Sequence, residues 1–170
     1  MIAKILKEPD PILHRSAKQV KTITPDIENI VAVMIRTMHA ARGVGLAANQ
    51  IGSEWSILVA SPDGQRGKEI VLINPVIEKR SGKASSPEGC LSLPGISSEV
   101  TRAAQVTASG LNREGKPVTL EAVQLLAKIL QHEADHLGGR LFVDRVSPWK
   151  KLKLLKEYES VARTLRQVKL

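Results

Sequence analysis

Residues 131–137 read Gln-His-Glu-Ala-Asp-His-Leu, and they close a stretch in which Leu125, Leu126, Ile129, Leu130 and Leu137 recur at helical spacing. That pattern predicts a helix over 122–137, ended by Gly138-Gly139. On such a helix His132 and His136 lie one turn apart on the same face. Two imidazoles so placed can grip one divalent ion at about 2.0–2.1 Å per bond. Glu133, beside the first histidine, then sits near the ion without being needed as a ligand and can take a proton from water there. Leu125 and Ile129 share the stripe of His132 and His136, so an aliphatic pocket is expected beside the metal. Leu126 and Leu130, on the adjoining stripe, read as core. A His-Glu-x-x-His run also arises by chance on amphipathic helices with surface histidines, so the rest of the chain has to supply the site.

A catalytic site of this kind takes three protein ligands and keeps a position open for water. The chain has four histidines, His14, His39, His132 and His136, and none follows His136, which excludes a third histidine further along. Glu157 lies 21 residues after His136, where endopeptidases of the gluzincin type carry a glutamate. Its setting, Lys-Leu-Leu-Lys-Glu-Tyr-Glu-Ser, reads instead as a charged amphipathic helix with a solvated acid. Cys90, in Pro-Glu-Gly-Cys-Leu-Ser-Leu-Pro-Gly, offers a thiolate, a good ligand for Zn2+ or Fe2+. As the one cysteine of the chain it also reads as an ordinary buried thiol. Spacing alone leaves both candidates open.

The 170 residues suit one domain, 1–170, with a sizeable core. Aromatic residues make up 2%, namely Trp55, Phe142, Trp149 and Tyr158. The core must therefore be aliphatic, and a stacking platform for single-stranded nucleic acid is excluded. A single cysteine allows no intrachain disulfide, and no run of about 18 apolar residues is present to span a membrane. The first eleven residues carry a short apolar stretch broken by Lys4, Lys7 and Glu8, which reads as a first strand and not as a signal or transit peptide. These features point to a reducing cytoplasm, with monomer as the default state. The net charge is +8, and from Arg145 to Leu170 eight basic residues face two acids. Such a field favours contact with a polyanion, although a solvated helix face has the same composition.

Around the 122–137 helix the chain reads as α+β. A first helix is predicted over 25–42, capped by Thr24, opened by Pro25, and carrying Ile27, Ile30, Val31, Met34, Met38 and Ala41 on one stripe. Strands are predicted at 55–60, 70–77, 97–101, 104–111 and 116–120, separated by turn signals that include Ser85-Ser86-Pro87-Glu88-Gly89. Residues 61–69 read as a surface loop, and a basic third helix is expected over 148–168. The expectation is small antiparallel or mixed sheets packed around a central His-Glu-x-x-His helix, with an N-terminal and a C-terminal helix. The glycine-rich run 43–52 lacks the strand–G-x-G-x-x-G–helix setting of a dinucleotide site, so it reads as a packed turn or as a close approach of backbone to a ligand, with Gln50 as an amide donor.

Taken in order, Gly43–Gln50, Glu88–Ser92 and Gln131–His136 resemble the three motifs of the peptide deformylases, of the bacterial type that keeps a C-terminal helix. The resemblance spans essentially the whole chain. It departs from the family at Val123-Gln124, where a glycine usually leads into the helix. The resemblance implies removal of the formyl group from N-formylmethionyl nascent chains, giving formate and a free α-amine. It implies one Fe2+ per chain, replaceable by Zn2+, Ni2+ or Co2+, held by Cys90, His132 and His136, with Glu133 as the proton carrier. The Gln50 side chain and the Leu91 N–H are implied as donors to the oxyanion. The methionine side chain would enter the aliphatic pocket walled by Val44, Leu125, Ile129 and the His132 ring. Backbone groups of Val44, Gly45 and Gly89 would pair with the peptide as an extended strand. Glu88, Asp135 and Arg102 are candidates to orient the ligands. Asp135 points away from the histidine face, so either a buried ion pair with a base such as Arg102 or an exposed acid is expected. The resemblance further implies that the basic last helix docks on the ribosome near the exit tunnel.

Overall fold

The computed structural model describes residues 1–167, apart from the side chains of residues 165 and 166. It is α+β, with three α-helices and two antiparallel sheets. Helix α1 (Pro25–Ala40) starts at Thr24, whose Oγ1 accepts from the Ile27 N–H, and has Pro25 in its first turn, as its sequence dictates. Strands β1 (Gly45–Ala47), β2 (Ile57–Ala60), β3 (Ile70–Ser81), β6 (Gln105–Leu111) and β7 (Pro117–Val123) form one sheet in the order β1-β2-β3-β6-β7. Strands β4 (Ala84–Cys90) and β5 (Leu93–Arg102) form a separate pair. Helix α2 (Gln124–Leu137) carries the His-Glu-x-x-His run, and α3 (Pro148–Gln167) ends the described chain. Val168, the last residue of the expected third helix, and Lys169 lie outside the described residues.

The larger sheet is covered on both faces. Successive side chains of a strand point to opposite sides, and β2 shows the division: Leu58 and Ala60 pack with α2 residues Ala127, Ile129 and Leu130, while Ile57 and Val59 pack with α1 residues Val31, Met34 and Met38. Both clusters are aliphatic, as the composition requires. The two buried aromatics, Phe142 and Tyr158, fall in a third cluster that fixes α3 to β5 through Leu93, Ile96, Val100 and Leu154.

Three expectations are corrected. The N-terminal segment is not a strand. Its donors are used singly, Leu6 N–H to the Gln50 carbonyl and Glu8 N–H to the Ser92 carbonyl, and Pro9 and Pro11 have no N–H with which to extend a ladder. The Ser85–Gly89 run is not a turn but most of β4, paired Ser86 to Val100 and Glu88 to Ser98. A two-stranded ribbon has edges on both sides, so its exposed positions stay polar and Pro87 is tolerated. The junction of β7 and α2 lies later than the expected 120–122: β7 runs to Val123 and the helix begins at Gln124, whose φ of +51° makes the corner. That is the conformation a glycine adopts without cost, and it stands where the family pattern has one.

Candidate metal centre

The two histidines are set by α2, and Cys90 is brought to them by the end of β4, where a register shift between Gly89 and Cys90 breaks the pairing with β5. The ligand atoms of Cys90, His132 and His136 all lie within 4.8 Å of one another, and the Cys90 Sγ is 3.2 Å from His136 Nε2. Among the described residues this is the one such cluster of His, Cys, Asp or Glu. Glu157 is exposed on α3 and is not part of it.

The electrostatics fit a cation. Burial alone would raise the Cys90 thiol, but the imidazoles of His136 and His132 outweigh it and hold the group well below its ordinary range, which favours the thiolate form a metal ligand needs. His132 Nδ1 donates to Glu88 Oε2 at 3.0 Å, which leaves Nε2 for a ligand. Burial pushes the Glu133 carboxyl up, with His132 and His136 pulling against it. The buried side-chain polar atoms without a hydrogen-bond partner among the described residues are Glu133 Oε2, His136 Nδ1 and Asn49 Oδ1. All three belong to this centre or touch it, since Asn49 Nδ2 donates to the His136 carbonyl. Unpaired buried polar atoms are costly, and their concentration beside three convergent donors marks a place built to receive a charged group.

A cavity of about 460 Å³ opens onto these groups. Val44, Gly45, Gln50, Gly89, Cys90, Leu91, Leu125, Ile129, His132 and Glu133 all line it. His136 is fully buried behind it. Val44 and Leu125 are each 41% exposed, which places them at the rim of the cavity. Gly45 is a close approach: a Cβ there would stand 2.5 Å from Glu133 Oε1 and 2.7 Å from Ile129 Cγ2. Gln50 is held by its own oxygen, which accepts from the Ala47 N–H at 2.9 Å, while its nitrogen donates to Ser92 Oγ at 3.1 Å and points toward Cys90.

Behind the ligands runs a charged quartet. Arg102 donates to both oxygens of Glu88, at 2.5 and 2.9 Å, and to Asp135 Oδ2 at 2.8 Å. Arg145 also donates to both oxygens of Asp135. Asp135 is therefore buried and paired, not an exposed acid. Burial opposes ionisation of Glu88, but the hydrogen bonds from His132 and Arg102 win and hold it down at about 2. Asp135 is likewise lowered against its burial, by Arg145 and Arg102. Sequence reasoning gave no role to Arg145, which follows α2, or to Asn49 and Ser92, which lie inside the 43–50 and 88–92 motifs; no periodic spacing signals their contacts. It also missed Lys7, whose ammonium reaches the Leu91 carbonyl from the N-terminal segment.

Two helix histidines and a cysteine sulfur, beside a cavity lined by a buried acid, define a candidate mononuclear hydrolase centre on an α+β frame. The chain belongs to the polypeptide deformylase family, whose model matches residues 2–152. It is 44% identical over 162 residues to peptide deformylase 2 of Nitrosomonas europaea, covering 95% of this chain and 88% of that protein. The structure of a Legionella pneumophila peptide deformylase superposes with a TM-score of 0.93 at 41% identity, covering 98% of both chains. An Ehrlichia chaffeensis peptide deformylase solved with actinonin superposes with a TM-score of 0.88 at 33% identity, over 95% of this chain and 98% of that one.

Proposed function

We propose that this chain removes the N-formyl group from the formylmethionine that begins newly made polypeptides, releasing formate. The observation that carries the reading is the convergence of Cys90, His132 and His136 on one point of a cavity that also exposes Glu133. These three would hold one divalent ion, Fe2+ by family and Zn2+, Ni2+ or Co2+ as substitutes. A divalent ion so held lowers the pKa of water toward about 7 and polarises a carbonyl.

The residues then divide the work. Glu133, raised by burial and lacking a partner at Oε2, takes a proton from the attacking water and returns it to the leaving amine. The Gln50 amide and the Leu91 N–H donate to the oxygen on which negative charge develops. Val44, Leu125 and Ile129 with the His132 ring receive the unbranched methionine side chain. Backbone groups of Val44, Gly45 and Gly89 pair with the peptide, so the first residue is read strongly and later ones weakly. The chain acts as one domain, 1–170, organised around the His-Glu-x-x-His helix, as a cytoplasmic monomer. No helix among the described residues is long and apolar enough to cross a membrane. The basic α3 supports docking on ribosomal RNA near the exit tunnel.

Formate release from formyl-Met-Ala-Ser, under anaerobic Fe2+ or with Ni2+, tests the reading. No formate above the metal-free blank would favour a basic binding module on the same scaffold. Metal content separates the endopeptidase alternative: Cys90→Ala should lose the ion and Glu157→Ala keep it. Reversing the α3 charges should weaken ribosome pelleting while leaving turnover of the free peptide unchanged.

A further inference from the structure

A second cleft, about 540 Å³, lies on the opposite side of α2 from the metal centre. Its walls come from separate segments: Arg80 near the end of β3, Lys83 in the β3–β4 turn, Arg102 at the end of β5, and Arg140 and Arg145 after α2. The one carboxylate lining it is Asp135. Arg102 forms the partition, since it lines this cleft while gripping Glu88, which lines the other.

The charges in the cleft do not balance. Arg102 and Arg145 are matched by Glu88 and Asp135, so the inner quartet is neutral. Arg80, Lys83 and Arg140 then remain, and none of them forms an ion pair with a carboxylate among the described residues. Three like charges gathered around one cleft repel one another, and the concave surface concentrates their field, even with Arg80 also donating to the Ile77 carbonyl. All three residues are exposed, so no ion pair with a buried group explains their gathering. Guanidinium groups arriving from different directions suit an oxygen-rich anion that accepts on several sides better than a flat carboxylate met by one fork.

We infer that this cleft is a binding site for a small, multiply charged oxyanion of the phosphate class. The site is independent of the deformylase reading, because none of its three unmatched cations touches the metal centre's cavity.

The test is a titration of the full chain, as purified and 15N-labelled, with inorganic phosphate. Saturable shifts should appear at residues 80–83, 101–103 and 140, and the affinity should fall as sodium chloride is raised. Arg80→Gln with Arg140→Gln should weaken binding at least tenfold. Lys153→Gln with Lys156→Gln, which removes the same charge from α3, should leave it unchanged. Shifts that never saturate, or that both double variants reduce equally, would mean general screening of a basic protein and would overturn the site. So would binding of an oligouridylate without any binding of phosphate, which would place the anion contact on an open surface and not in the cleft.

Discussion

The two faces of α2 handle buried charge in opposite ways. On the back face Asp135 has both oxygens bonded to arginines, and Arg102 spends its donors on Asp135 and Glu88. On the front face Glu133 and His136 each keep an unpartnered buried atom. The helix is the same and burial is comparable, so neither explains the contrast. A satisfied network rigidifies, whereas an unsatisfied one is tolerated where something else is to be bound. The back face holds the front in place: Glu88 is the joint between them, gripped by Arg102 on one side and bonded to His132 on the other.

The sharpest way to break this comparison is to replace an acid on each face. Glu133→Gln should lower formate release by at least the roughly 10²–10⁴-fold typical of a lost proton carrier. It should also keep the metal and leave the melting temperature equal or higher, because a buried unpaired carboxylate is removed. A clear loss of stability would place Glu133 with the structural charges. Arg102→Met should do the reverse, leaving Glu88 and Asp135 buried without their shared partner. Breaking such a network costs about 3–5 kcal/mol, read as an early denaturation midpoint. A variant as stable as the parent would show that the quartet contributes nothing.

The two faces should also titrate in opposite directions. Glu88 and Asp135 are lowered in the folded chain, so their stabilisation is fully present above the ordinary carboxylate range, near 4.5 for Glu88, and is lost as pH falls toward about 2. Glu133 is raised, so the unfolded chain gives up that proton first and the fold is weakened as pH rises through the carboxylate range. Melting curves between pH 7 and 3 should therefore steepen less in Asp135→Asn than in the parent, whereas Glu133→Gln should gain most over the parent at the high end. Parallel curves for all three would refute the assignment.

The smallest effect concerns the corner that aims the helix. Gln124→Gly removes a left-handed non-glycine residue, which costs about 1 kcal/mol or more, against a greater loss of chain entropy. A net gain of about 0.5 kcal/mol is expected in chemical denaturation. A loss would mean that the Gln124 side chain contributes more than its backbone costs.

These contrasts mark what the sequence could and could not reveal. His132, Glu133 and His136 were readable because helical geometry is local and periodic. Cys90 and Gln50 were weak candidates by spacing, since they reach the site from β4 and from the 43–52 run, and the resemblance of three ordered motifs placed them. Asn49 sat inside the 43–50 motif without a role, because its bond to the His136 carbonyl joins residues 87 apart, and Arg145, only ten residues from Asp135, lies past the end of α2 where helical spacing no longer applies. The N-terminal segment misled because a short apolar stretch broken by charges does not reveal whether a partner strand is free to pair with it. The turn composition of 85–89 misled because an exposed ribbon can be built from turn residues.

The missing side chain at Gly45 has one more consequence. Glu133 rests against bare main chain, so in the proposed reaction its reach into the cavity would be limited by a surface and not by a donor that has to be let go. Even a single methyl at residue 45 would shove the acid aside without altering any charge. On the proposed role of Glu133, the aim of its proton would then depend on residue 45 having no side chain.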